Sequence, residues 1–333
     1  MLSGSIGLTV TIVLLALIFD FINGFHDSAN AIATSVSTRV LTMKEAVIMS
    51  ATLNFIGAFM NVKVAQTIGK GLIDPGSISQ NVVIAGLLGA IIWNLVTWYL
   101  GIPSSSSHSL IGGLIGAAVV SAHSFSIINW INFFWKVVLW LFLSPVIGFL
   151  AGYIFMKILN FLLKDAKPSF VTKFFAKAQI FSAMLMALNH GGNDAQKSMG
   201  VISMALISGG LISQFYIPTW VKISCAAAMA LGTMSGGKKI IKTMGHNMAK
   251  LAPVNGFAAE TGAAGVIFTA TMFNAPVSTT HIISTSIMGV AASKRMSSVR
   301  WIVAKNIVQA WVITIPVCAF IASIIIFAIE KLF

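Results

Sequence analysis

The sequence predicts an all-α polytopic membrane protein built from two inverted-topology repeats, with broken helices or re-entrant hairpins meeting at the midplane. Three observations predict it. Hydrophobic residues make up 57% of the 333 and charged residues only 9%, against roughly 25% charged in a soluble domain. Uncharged runs of spanning length recur, such as the 19 residues from Val82 to Leu100 and the 24 from Asn306 to Ile329; about 20 suffice to cross a hydrocarbon core ~30 Å thick. Finally, one polar pattern occurs twice in the same order. Gly24-Phe25-His26-Asp27-Ser28-Ala29-Asn30 is followed by Pro103-Ser104-Ser105-Ser106-Ser107-His108, and Gly191-Gly192-Asn193-Asp194-Ala195-Gln196-Lys197 by Pro276-Val277-Ser278-Thr279-Thr280-His281. Asp27 precedes His108 by 81 residues and Asp194 precedes His281 by 87, the mark of an internal repeat.

Long apolar runs argue for helices, because a membrane barrel shows short alternating strands. In the first repeat, residues 1–156, hydropathy places crossings near 5–25, 46–62, 82–100, 104–122 and 130–156. A basic connection follows over 157–177. In the second repeat, 178–333, crossings fall near 178–207, 217–234, 253–272, 277–293 and 306–329. The stretch from Ser5 to Thr38 would be about 51 Å long as one helix at roughly 1.5 Å per residue. A break is therefore expected at Asn23-Gly24. The first apolar stretch has no preceding basic residue and no evident cleavage site, so it reads as a retained helix.

The formal charge of +13 is concentrated in loops. Lys157, Lys164, Lys167, Lys173 and Lys177 lie in the central connection, Lys238, Lys239, Lys242 and Lys250 in a later loop, and Lys294, Arg295, Arg300 and Lys305 in another. With both termini outside, every strongly basic loop falls on the cytoplasmic side, as the positive-inside bias requires. Nucleic-acid binding would need these charges on a soluble face with aromatic platforms, and is excluded. Five crossings per half bring the second half in from the opposite face, so the repeats are inverted. The turns before Pro103 and Pro276 then lie on opposite faces with both polar knots aimed at the midplane. Cys225 and Cys318 sit in separate apolar segments and suggest neither a disulfide nor a metal knuckle.

The polar sentences carry the chemistry. A carboxylate near the bilayer centre costs at least roughly 2.5–3.5 kcal/mol, so Asp27 and Asp194 need partners. Asp27 and Asn30, one turn apart, present oxygens on one face, and oxygen ligands suit a hard cation, Na⁺, or a carried proton. The knots hold no acid but several hydroxyls at a proline-marked helix start, where free backbone N–H groups add donors. Such a nest binds anions, phosphate above all. Capping alone needs one hydroxyl and not four. A serine nucleophile beside His108 would need an orienting acid and an oxyanion hole, and adjacent residues seldom make that geometry; the chain does not read as an enzyme. Each histidine is expected to pack and hydrogen-bond at a helix interface, with Gly112, Gly113, Gly116 and Gly289 permitting close packing. Glu260, deep in an apolar stretch, is either a bundle-facing residue paired with a lysine or a backbone donor, or a proton relay; Asp20 is similar.

These four motifs together resemble the PiT family of inorganic phosphate transporters, most closely its bacterial low-affinity branch, over essentially the whole chain. The resemblance implies cation-coupled phosphate symport across the cell membrane, extracellular termini, a homodimer, and no cofactor. It implies phosphate binding by the hydroxyl-rich hairpin tips, Ser105, Ser106, Ser107, Ser278, Thr279 and Thr280, with Asn193 nearby. Cations, including any divalent metal carried with phosphate, would sit at Asp27, Asn30 and Asp194, with Lys197 and Glu260 taking part in coupling. The chain departs from the family's Gly-x-Asn-Asp-x-x-Asn pattern at His26 and at Lys197, the counterpart of Asn30. An ammonium in place of an oxygen ligand disfavours a Na⁺ site there and favours coupling to H⁺, or transport of a metal-phosphate complex. A sulfate or other tetrahedral-oxyanion permease is the alternative the same donors fit. A non-transporting phosphate sensor would carry a soluble output domain, for which no segment is long or polar enough.

Overall fold

The computed structural model describes residues 2–73, 78–275 and 277–332. Pro276, expected to open the second polar knot, lies outside the described residues. The chain is helical, with no strand among the described residues beyond an isolated bridge between Ile73 and Ile128. The first half contains α1 (Leu2–Ser37), α2 (Met43–Gly57), α3 (Lys63–Lys70), α4 (Gln80–Leu100), α5 (Ser106–Ala122), α6 (Trp130–Phe133) and α7 (Leu139–Leu162). The second contains α8 (Pro168–Ser208), α9 (Thr219–Ser235), α10 (Lys238–Lys242), α11 (Pro253–Met272), α12 (Thr279–Lys294) and α13 (Trp301–Leu332). Among the described residues, five helical stretches are long and apolar enough to cross a membrane: Ile6–Ser37, Gln80–Leu100, Trp130–Leu162, Pro168–Ser208 and Trp301–Leu332.

The expected break in α1 is not there. The helix runs 36 residues without interruption, and α8 runs 41, straight through Gly191 and Gly192. The glycines serve packing instead. A β-carbon on Gly24 would stand 2.3 Å from the Met229 carbonyl of α9, and one on Gly191 would stand 2.3 Å from the Asn54 carbonyl of α2. Each partner helix returns the contact through its own glycine: Gly232 meets the Phe21 carbonyl and Gly57 the Leu188 carbonyl, where β-carbons would lie at 1.9 and 2.2 Å. Backbone pressed on backbone holds a long helix straight. Burial of its polar face among other helices lets it exceed the bilayer thickness without exposing polar side chains to lipid.

The helix pairings of the two halves correspond. α1 packs on α9 as α8 packs on α2, α4 on α5 as α11 on α12, and α5 on α13 as α12 on α7. Pro145 inside α7 has its counterpart in Pro316 inside α13.

Two helical hairpins, α4–α5 and α11–α12, bring the polar knots together. α4 ends at Gly101, whose φ of 70° is the left-handed turn that a glycine adopts without strain. Ser105 caps α5 by accepting the His108 N–H at 3.3 Å, and Ser278 caps α12 by accepting the His281 N–H at 3.2 Å. The tips touch: the Ser107 hydroxyl donates to the Val277 carbonyl at 3.2 Å, and the His108 and His281 rings lie 4.9 Å apart. The polar knots of the two halves were expected to meet, and they do.

Candidate functional site

The site forms where the two hairpin tips press on α1 and α8. On α1 the residues Asp20, Asn23, Asp27, Asn30 and Thr34 recur at spacings of three and four, so they share a face; all are 2% exposed or less. On α8 the matching face holds His190, Asn193, Asp194 and Lys197, none more than 1% exposed. The helices run antiparallel: Asn23 donates to Asp194 at 3.5 Å, while Thr34, about two turns beyond Asp27, shares Glu260 with Ser182.

A continuous polar chain links the two acids. Asp194 accepts an ion pair from the Lys197 ammonium at 2.8 Å. The same ammonium donates to the Ser106 hydroxyl at 3.2 Å, and Ser106 donates to Asp27 at 3.0 Å. One lysine and one serine from a hairpin tip thus sit between two carboxylates belonging to different halves. Asp27 is held further by His26, whose Nδ1 lies 2.6 Å from Oδ1. The other nitrogen of His26 meets Thr97 at 3.0 Å and Ser104 at 3.3 Å. Asn193 has the corresponding place on α8, and its amide donates to Thr271 on α11 at 2.9 Å.

The predicted hydroxyl residues divide by task. Ser105 and Ser278 are helix caps, and Ser107 ties the tips together. Ser106 faces the acids. Thr279 and Thr280 accept the Asn30 amide at 3.1 and 2.9 Å, and Thr280 reaches Asp27 at 3.5 Å. A hydroxyl, an ammonium and a pair of threonines from three elements therefore converge within reach of Asp27. The histidines were expected to hydrogen-bond, but Nδ1 of His108 and both nitrogens of His281 have no hydrogen-bond partner. They pack by their rings instead, His281 stacking on Trp311 with centroids 3.9 Å apart while Trp311 donates to the Pro103 carbonyl at 3.0 Å.

Of the proposed cation ligands, Asp27 and Asp194 lie together, with His190 as the third group. Their ligand atoms fall within 4.8 Å of one another. Asn30 turns its amide N–H₂ to the threonines, leaving its oxygen without a partner, as are Asn193 Oδ1 and Asp194 Oδ1. Two carboxylates and an imidazole form a set that suits a transition-metal cation better than an all-oxygen shell does. Glu260 stands apart from the acid pair. It has neither the lysine nor the backbone donor expected for it; Thr34, Ser182 and Gln179 donate to its carboxylate instead, the last at 3.3 Å.

His26, Thr97, Ser104, His190, Thr271 and Trp311 were not singled out from sequence as site residues. For His26 and His190 the signal was present, since both flank the acid motifs. Thr97 and Thr271 lie inside apolar helices, where a lone threonine usually bonds its own backbone; both do so as well.

An all-helical membrane bundle whose buried centre gathers acids, an ammonium and helix-tip hydroxyls has the build of a solute transporter rather than an enzyme. The particular family follows from comparison. The phosphate transporter family matches residues 23–172 and 163–322, and the chain belongs to it. It is 49% identical over 329 residues to a Bacillus subtilis (strain 168) protein named "Probable low-affinity inorganic phosphate transporter", covering 98% of each chain. A Rhizobium meliloti (strain 1021) protein of the same name is 50% identical over 325 residues, covering 97% of each. A solved structure described as "The sodium-dependent phosphate transporter" superposes with a TM-score of 0.88 at 23% identity, over 98% of this chain and all of that one. At that identity the likeness shows a shared fold.

Proposed function

We propose that the chain imports inorganic phosphate by secondary active symport and that protons, rather than Na⁺, drive it. Inorganic phosphate transport follows from the family and from relatives of nearly half identical sequence. The coupling rests on one observation: the Lys197 ammonium lies 2.8 Å from Asp194, at the position equivalent to Asn30. A fixed positive charge already neutralises the carboxylate that a Na⁺ ion would need. Some coupling is required, because moving a dianion into a negative-inside cell costs about 4–5 kcal/mol at 100 mV.

In this reading both termini face outside, the 157–177 loop faces the cytoplasm, and the halves are inverted repeats. The matched pairings of α1, α9 and α8, α2 support the last point. Phosphate is held by Ser106, Thr279 and Thr280 with help from Lys197, and binding competes with the contacts those groups make to Asp27 and Asp194. A divalent metal travelling with phosphate as a neutral complex is a second reading, favoured by the Asp27, His190 and Asp194 grouping. Uptake of radiolabelled phosphate into proteoliposomes, with Na⁺ gradient, pH gradient and divalent metal varied separately, tests both. A saturable Na⁺ requirement at fixed pH, without response to a proton gradient, overturns the proton reading.

A further inference from the structure

Lys250, Lys294, Arg295 and Arg300 have no part in the site described above, yet they ring one cavity of about 370 Å³ together with Ser297 and Ser298. Among the described residues no carboxylate lines it, and none of the four cationic side chains has an ion pair or a hydrogen bond. The space holds a tetrahedral anion with water to spare, a water's share of liquid being about 30 Å³. Like charges around one hollow repel one another, and an anion between them replaces that repulsion with attraction.

The other half shows what the fold alone asks for at this place. The short turn Phe125–Ile127 links α5 to α6 as the turn Met296–Ser298 links α12 to α13. The local structures match. The Trp130 indole donates to the Phe125 carbonyl at 2.9 Å, and the Trp301 indole to the Met296 carbonyl at 2.9 Å. The Asn129 backbone N–H donates to the Leu72 carbonyl at 2.9 Å, and that of Arg300 to the Met248 carbonyl at 3.1 Å. In the first half the residues that open the turn and the helix after it are caps: Ser124 accepts the Ser126 N–H at 3.1 Å and Asn129 the Asn132 N–H at 3.0 Å. In the second half the same places hold Arg295 and Arg300, which carry donors only and cannot cap. Arg300 also stands immediately before α13, and Lys250 shortly before α11, at helix ends where the dipole disfavours a cation. Lys294, in the last turn of α12, is the one that the dipole explains. The positive-inside bias accounts for positive charge on the side proposed to be cytoplasmic; it asks neither for a shared cavity nor for caps given up to cations.

We propose that this cavity is a separate anion site that takes a phosphate group, supplied either by inorganic phosphate leaving the protein or by the headgroup of an anionic phospholipid. Guanidinium groups match pairs of phosphate oxygens, the two lysines add charge, and the serine hydroxyls add donors. In the proposed orientation the cavity opens on the cytoplasm, where both sources are present, and basic pockets of that kind hold lipid headgroups.

This inference deepens the phosphate reading of the function, and binding to the purified protein tests the two separately. Wild type, Lys250→Gln/Arg300→Gln, Lys164→Gln/Lys173→Gln and Ser106→Ala are prepared in a nonionic detergent at low ionic strength, where screening is least. Two quantities are read: binding of radiolabelled inorganic phosphate by equilibrium dialysis, and the rise in melting temperature on adding short-chain phosphatidylglycerol rather than short-chain phosphatidylcholine. If free phosphate is the ligand, the wild type has a phosphate site that survives Ser106→Ala and that Lys250→Gln/Arg300→Gln weakens roughly tenfold or more, as loss of charged hydrogen bonds does. If a lipid headgroup is the ligand, that variant binds phosphate as the wild type does, and its melting shift with phosphatidylglycerol falls several-fold. Lys164→Gln/Lys173→Gln removes the same charge from the central connection and is expected to leave both readings at the wild-type value. Wild-type values of both readings in Lys250→Gln/Arg300→Gln overturn the proposal, as does an equal loss in Lys164→Gln/Lys173→Gln, which would make the effect one of net charge. Loss of the Ser106-dependent binding in the cavity variant also overturns it, by tying its cations to the integrity of the bundle. Phosphate binding that Ser106→Ala leaves intact and the cavity variant reduces overturns the central-site reading and leaves the cavity standing.

Discussion

Ser106 is the residue on which the site turns, because it alone among the serines of its knot contacts both an ammonium and a carboxylate. Removing its hydroxyl takes away hydrogen bonds to charged groups, worth roughly 1.5–3 kcal/mol, so Ser106→Ala is expected to raise the KM for phosphate about tenfold or more. Ser105→Ala removes a cap worth about 1 kcal/mol and is expected to lower thermal stability while leaving KM within a few-fold. Uptake kinetics and thermal melting in detergent distinguish the two; equal KM effects would place phosphate away from Ser106. Lys197→Asn restores the oxygen that Asn30 has in the other half, and is expected to introduce Na⁺ stimulation of whatever uptake remains. Stimulation by Na⁺ that is already full in the unmutated protein would count against the role given to Lys197. At this scale the sequence was informative about which residues gather and less so about what each does. The doubled motif marked Asp27, Asn30, Asp194 and the hydroxyls, because polar residues in an apolar chain stand out. That Ser105 and Ser278 cap while Ser106 faces the acids depends on helix phase, which four consecutive serines do not reveal.

Helix boundaries were largely legible: the crossing expected near 253–272 corresponds to α11 (Pro253–Met272), and that near 277–293 to α12 (Thr279–Lys294). Uncharged runs end where polar loops begin, and hydropathy reads that directly. The continuity of α1 was not legible. Length alone suggested a break, whereas the outcome depended on α9 offering backbone to Gly24, as α2 does to Gly191 of α8, a tertiary fact invisible in a local window. The same contacts make a prediction for single helices. Gly232→Ala and Gly57→Ala place a β-carbon about a van der Waals radius too close to a facing carbonyl, and both should destabilise the bundle by more than the ~1 kcal/mol that alanine gains over glycine in a helix. Gly265→Ala on α11 meets nothing within 4 Å and should be neutral or stabilising. Melting temperatures of the three variants check this, and a stable Gly232→Ala would mean that α1 and α9 slide freely.

For the whole molecule, the proposed orientation is open to direct chemistry because both native thiols, Cys225 and Cys318, are buried. Lys164→Cys replaces a side chain 65% exposed in the central connection, and Leu332→Cys one 77% exposed near the end of α13. In intact cells an impermeant maleimide should label the second and reach the first only after permeabilisation; the opposite pattern would reverse the topology. The proposed arrangement rests on the odd number of crossings per half and on where the basic loops fall. The contact between the hairpin tips agrees with the expectation that the knots meet; hydropathy, which counts passages, does not say how deep a turn lies.

Trp311 turns that contact into something visible. Its indole donates to the Pro103 carbonyl of one hairpin and stacks on His281 of the other, and among the eight tryptophans of the chain it is the buried one, 3% exposed. Its emission is therefore set by two parts that any opening between the hairpins would pull away from it. Separation of the tips would let water reach the ring and red-shift its fluorescence. A protein labelled with nothing but its own tryptophan would then report, in a stopped-flow cuvette, the moment at which the two halves let go of each other.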